Sequence, residues 1–211
     1  MSTAAAAPRP APSSPDWSTL PVFPLGTVLF PGGTLPLRVF EKRYVDMTRD
    51  CMRNGTPFGV CLIREGREVG APALPHDIGC LAEIHDWDMQ TPGVLSLVTR
   101  GTRRFRIRST RAQDDGLVRA VAAPLDDDPE VATDESHAAI IALLKVILER
   151  VPAAYRPETS RFESIGWVAN RLAELLPIQP LARQRLMELD DPAERLVIIQ
   201  RYLAEQGLRQ D

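Results

Sequence analysis

The chain has 211 residues, of which 44% are hydrophobic and 25% charged, and its formal net charge is −3. Such a chain is long enough to bury a substantial core, and the charge excludes a global basic field that would draw it onto nucleic acid or anionic lipid. Its three cysteines, Cys51, Cys61 and Cys80, include no C-x-x-C pair, which argues against a disulfide framework and for a reducing, cytoplasmic compartment.

The first residues, MSTAAAAPRPAPSSPD, are rich in alanine, proline and serine and carry neither an apolar h-region nor an early basic cluster. They do not read as a signal peptide, and residues 1–16 are expected to form a flexible tail. From Leu20 to about Leu125 short apolar runs alternate with turn signals such as Pro31-Gly32-Gly33, Asn54-Gly55, Pro92-Gly93 and Asp114-Asp115-Gly116. The expected strands include Phe58 to Ile63, Cys80 to Ile84, Leu95 to Val98, Phe105 to Ile107 and Leu117 to Val121. In RRFRIRS, residues 103–109, Phe105 and Ile107 alternate with Arg104, Arg106 and Arg108, the period of a half-buried strand. Many short strands at this spacing fit a closed or nearly closed barrel better than a parallel sheet. One helix is expected within this region, from about Glu41 to Arg53, ended by Asn54-Gly55.

The acidic stretch Asp126 to Glu130 reads as a linker, and helical periodicity follows it. Ile140, Ile141, Leu143, Leu144, Ile147 and Leu148 make one stripe, with Asp134 and Glu135 at its positive end. Ser160 and Glu163 match a capping box for a second helix that Pro177 stops; Leu181 to Leu189 is a third, and Asp191-Pro192 caps a fourth that ends before Gly207. The domain limits that follow are the tail over residues 1–16, a β-rich subdomain over 17–125 and a helical subdomain over 126–211. No apolar run approaches the roughly 20 residues of a membrane span.

Chemistry-bearing patterns are sparse. No phosphate-cradling glycine loop precedes either lysine, Lys42 or Lys145, and no G-x-G-x-x-G follows a strand. Ser164 lacks the first glycine of a nucleophile elbow. Cys61, His76, Cys80 and His85 fall in one stretch but not in the close pairs of a structural zinc site, so no metal ligand, cofactor or catalytic residue is assigned. The sharpest charge feature is the arginine run Arg100 to Arg111, which suits either a phosphate or acidic-peptide contact or a solvated face paired with the acidic linker.

The segment LPVFPLGTVLFPGGTLPLRVFEKRY, Leu20 to Tyr44, resembles the opening of the Lon protease N-terminal, substrate-binding domain family. The likeness continues through Pro57-Phe58-Gly59-Val60, the strand Gly79 to Ile84, the G-x-x-R-F pattern at Gly101 to Phe105, taken as a hairpin, and the closing motif Leu186 to Leu196 around Asp191-Pro192 and Arg195. The resemblance implies an α+β chain, a PUA-like β pseudo-barrel followed by an α-helical bundle, without the ATPase and peptidase modules that follow this region in the full protease. It implies a non-catalytic module that binds unfolded or exposed protein segments, in concert with a proteolytic machine; RNA binding through the Arg100–Arg111 strand and an enzyme of unrecognised type are the alternatives. Within the motif Leu25, Val28, Leu29, Leu35, Leu37 and Val39 are core candidates. Arg38, Glu41, Arg43 and Arg104 need not be core, and with Arg106 and Arg108 they are the candidate partner-binding residues. Oligomeric state is not legible in the sequence.

Overall fold

The computed structural model describes residues 13–207, and of Gln90 the backbone alone. The first twelve residues of the expected tail lie outside that range; Ser13 already donates its backbone N–H to Gly55 O, and Trp17 packs its ring against Phe105.

The chain is mixed α+β. Strands β1 (Leu20–Leu25), β2 (Thr34–Val39), β3 (Phe58–Glu65), β4 (Leu74–Pro75), β5 (Ile78–Thr91), β6 (Val94–Ala112) and β7 (Val118–Pro124) form one sheet. Helix α1 (Lys42–Asn54) lies between β2 and β3, and α2 (Ala138–Arg150), α3 (Ile165–Leu175), α4 (Pro180–Glu188) and α5 (Pro192–Glu205) follow the sheet. The strand path β1-β7-β6-β5-β3 returns to its start through a parallel β1–β3 pairing, with β4 on β3 and β2 on β6. Residues 20–22 of β1 pair with β7 and residues 22–25 with β3. Pro21 and Pro24, which have no N–H to give, thus each need only one neighbouring strand.

Strand alternation sorts the interior into two apolar clusters. Val60 and Leu62 point into a large cluster that also holds Tyr44, Met47, Ile140, Leu144, Leu172 and Ile199. Cys61, between them, points into a smaller one with Leu20, Val22, Phe105 and Ala120. The large cluster runs across residue 125, so α2 to α5 bury their apolar stripes on the same sheet that α1 covers. Among the described residues no helix is long and apolar enough to cross a membrane.

Three local expectations change. Leu95–Val98 and Phe105–Ile107 are parts of one 19-residue strand, β6, which runs straight through Gly101. The G-x-x-R-F motif is therefore mid-strand rather than a hairpin. Gly101 is needed there because a Cβ would run into Phe30 O. The Ser160–Glu163 capping box does not form: Ser164 is the N-cap of α3, after bridging to Ala132. Leu35 and Leu37, read as core, are only partly buried, while Leu25, Val28, Leu29 and Val39 are buried.

Candidate functional site: an apolar groove beside strand β2

Most of the motif arginines are consumed by the fold. Arg195, on the first turn of α5, is 1% exposed. Its Nε donates to Leu186 O, and its two terminal nitrogens donate to both carboxylate oxygens of Asp128, at 2.6 and 3.2 Å, to Asn170 Oδ1 and to Leu189 O. Such a fork is what a guanidinium supplies and an ammonium does not. Arg104 reaches the same place from β6: it donates to Met187 O and Leu189 O, and pairs with Asp128 at 3.3 Å and Asp190 at 3.2 Å. The Gly101–Phe105 motif and the Asp191–Arg195 motif thus meet over Asp128 and the α4–α5 turn, whose end-of-helix carbonyls they satisfy.

A second clamp holds the opening motif. Arg171 on α3 pairs with Glu174 at 3.0 Å and donates to Pro31 O, and Glu174 Oε1 accepts the Phe30 N–H. A Cβ on Gly33 would run into the Glu174 carboxylate, which is why the turn carries glycine at that point. Burial raises the Glu174 carboxyl above the usual glutamate range, and the Arg171 charge only partly offsets this.

Arg43, expected at the surface, is also withdrawn: it lies over the Tyr44 ring at 4.7 Å, donates to Gly116 O and pairs with Glu41 at 2.8 Å. With Arg104 buried, the arginine run is no single face. Arg100 pairs with Glu158 at 2.7 Å and Arg103 with Asp127 at 3.6 Å, leaving Arg106 and Arg108 on the solvent side of β6. Nor do chemistry-bearing groups converge. Burial pushes the Cys51 thiol up to about 11 and raises Cys61 and Cys80 further, so none is a thiolate at neutral pH. Among the described residues no group of three or more His, Cys, Asp or Glu could hold a metal ion. A cleft of about 600 Å³ between sheet and helices has a wall that mixes charged and apolar residues, and its arginines, Arg100, Arg104 and Arg161, are each paired with its acidic residues.

A second concavity differs in kind. A groove of about 320 Å³ runs along β2, lined by the unbroken stretch Leu35 to Glu41 on one side and by Phe23, Leu25 and Tyr44 on the other. Phe23 and Tyr44 stack with ring centroids 3.9 Å apart and make a rigid apolar wall. Phe40 at the end of β2 and Val69 in the β3–β4 loop are both 56% exposed, and both line it. Glu68 ties that loop down by accepting the Gly26 N–H. Of the candidate partner-binding residues, Arg38 and Glu41 line this groove, whereas Arg43, Arg104, Arg106 and Arg108 do not. Phe40, Glu68 and Val69 were not singled out from sequence. Val69 lies in a polar, glycine-flanked stretch with no periodicity, while Phe40, directly after the Leu-Pro-Leu-Arg-Val alternation, could have been flagged as a strand-end aromatic.

The sequence model of the ATP-dependent protease La (LON) substrate-binding domain matches residues 19–205. A Lon N-terminal domain protein from Xanthomonas campestris, known from its crystal structure, is 39% identical, with a TM-score of 0.71 over 88% of this chain and 97% of its own. The N-terminal domain of a Mycobacterium avium complex Lon protease, 19% identical, shares the fold at a TM-score of 0.61 over 88% of this chain and 98% of its own. The Lon protease of Cytophaga hutchinsonii is 25% identical over 191 residues, which cover 84% of this chain and 23% of that protein. This chain accordingly spans less than a quarter of the length of the first curated relatives it matches. With the family pattern running from the first strand to the last helix, the chain belongs to the LON substrate-binding domain family.

Proposed function

We propose that this chain is a non-catalytic recognition module for unfolded or otherwise exposed polypeptide segments, and that the groove beside β2 receives them. The observation that carries the reading is the pair of large apolar side chains, Phe40 and Val69, each more than half exposed over an apolar groove. Apolar side chains exposed together at a concave surface mark an interaction site more than the same groups scattered singly do. The family's description as substrate-binding supports the same role, and a proteolytic machine is the partner that would consume what is bound. The strand path, closed through β1 and β3, supports reading the sheet as a PUA-like pseudo-barrel. The halves 17–125 and 126–211 then act together, the helices holding the turn that leads into β2.

The test is fluorescence anisotropy with labelled peptides cut from a reduced, carboxymethylated protein. Expected are dissociation constants on the order of micromolar, weakened about ten-fold by Phe40→Ser or by Val69→Asp. No measurable binding, or affinities unchanged in both variants, defeats the reading.

A further inference from the structure

The groove is lined by every consecutive residue from Leu35 to Glu41, odd and even alike. A cavity against the face of a strand touches alternate residues; one touched by all of them lies along the strand's edge. Among the described residues β2 pairs with β6 and with no other strand. The direction of its backbone groups is fixed by three facts. Gly33 O accepts from Gly101 N, Leu35 O accepts from Thr99 Oγ1, and the even-numbered Pro36, which has no N–H, sits inside the paired stretch. The odd residues therefore turn their polar groups to β6, and Thr34, Pro36 and Arg38 turn theirs away from it. The short helical turn Ala153–Tyr155 packs beside β2, and Tyr155 shares a small cavity with Thr34 and Leu35. The edge from Pro36 to Phe40 opens instead into the apolar groove.

Resting on the recognition reading above, the geometry points to strand addition: an extended peptide pairs with the open edge of β2 and places alternate apolar side chains against Phe23, Leu25 and Tyr44. Arg38 offers the N–H and the C=O, and Pro36 a further C=O. So short a ladder, backed by one or two apolar side chains, suits transient capture. Charge sets the segment's composition. Glu41 is paired with Arg43, and Glu68 is engaged by the Gly26 N–H, whereas Arg38 is exposed with no ion pair among the described residues. The rim thus presents Arg38 beside the ladder as a cation without an ion pair among the described residues, while Glu68, held by a neutral N–H, keeps its negative charge on the β3–β4 loop. The favoured occupant is an extended segment in which an acidic residue, facing Arg38, separates two apolar ones.

The test uses a synthetic octapeptide alternating valine or leucine with glutamate and serine, and two forms of it N-methylated on alternate residues, one along each edge. Strand addition predicts that one methylated form binds the wild-type protein at least about ten-fold more weakly than the parent, while the other stays within about two-fold. Arg38→Pro, whose missing N–H faces the groove and not β6, should bind the parent at least about ten-fold more weakly than Arg38→Ala at an unchanged melting temperature. If Arg38→Pro does not fold, the methylated peptides decide alone, since they need only the wild-type chain. Equal binding of both methylated forms overturns the ladder and leaves recognition by side chains standing. Absence of binding by the parent overturns the ladder and the recognition reading together. A wild-type dimer that Arg38→Pro dissolves overturns it as well, by placing a second copy of this chain on the edge.

Discussion

Two regions of the molecule use the same residue types to opposite ends. At the seam between sheet and helices, Arg104, Arg171 and Arg195 are at most 5% exposed and are surrounded by carbonyls and carboxylates of their own chain. At the groove, Arg38 is exposed without an ion pair among the described residues, and Leu35 and Leu37 are only partly covered. What separates the two is supply: the seam brings together Asp128, Asp190, Glu174 and the ends of α4, and the groove brings together a bare strand edge and aromatic rings. A motif arginine is structural where the fold provides its acceptors, and available where it does not.

The sharpest way to break this contrast is at Arg195. Arg195→Ala leaves Leu186 O and Asn170 Oδ1 without this donor and removes from Asp128 the two-pronged contact that Arg104 alone does not replace, and the expected loss is roughly 3–5 kcal/mol, a large share of a typical domain's stability. Arg195→Lys should recover only a small part, since an ammonium cannot span the fork. Denaturant unfolding measures both, and a loss below about 1 kcal/mol for Arg195→Ala would show that the seam is not held in this way. Next in size is Gly33→Ala, whose Cβ meets the Glu174 carboxylate. Displacing that carboxylate from the Phe30 N–H should cost about 2 kcal/mol. A Glu174→Ala background should absorb most of that cost, and additivity of the two changes would contradict the clamp.

How far these regions were legible in the sequence follows the same division. The order of a β-rich half and a helical half was readable from periodicity, and α1 was placed to within one residue because Asn54-Gly55 is a local stop signal. Local signals failed where a distant segment decides. The alternation in RRFRIRS treats its arginines as equivalent, but Arg104 is drawn inside by Met187, Leu189 and Asp128, which are remote in sequence. Gly101 reads as a break because nothing nearby shows that Phe30 O will lie against it. Ser160 and Glu163 match a capping box, but that segment is committed to the bridge between Ala132 and Ser164. The groove escaped for the same reason: Phe40, Val69 and Tyr44 become neighbours only when the β3–β4 loop is tied to Gly26.

A smaller effect sharpens the seam side of the comparison through pH. Burial raises the Glu174 carboxyl. A carboxyl whose folded value lies above its unfolded one binds more protons folded than unfolded between the two values, so its contribution to stability grows as pH falls through that window. The slope is at most about 1.4 kcal/mol per pH unit for one group. Glu174 should thus make the wild type less acid-sensitive than Glu174→Gln, which has no proton to gain. Melting temperatures of the two proteins across the mildly acidic range test this, and parallel curves would show that Glu174 is not perturbed by its site.

The smallest expected stability change is the one that isolates the groove. Phe40 keeps 56% of its surface in water, so truncation removes little buried area and leaves no cavity. Phe40→Ser should shift unfolding by no more than about 0.5 kcal/mol, as for surface substitutions in general. A residue that contributes so little to its own fold leaves its ring free to meet a partner in the groove. Loss of peptide affinity in Phe40→Ser at unchanged stability would set the groove apart from the seam, where every arginine substitution weakens the fold first. A loss of several kcal/mol would instead make Phe40 part of the core and erase the distinction between the two regions.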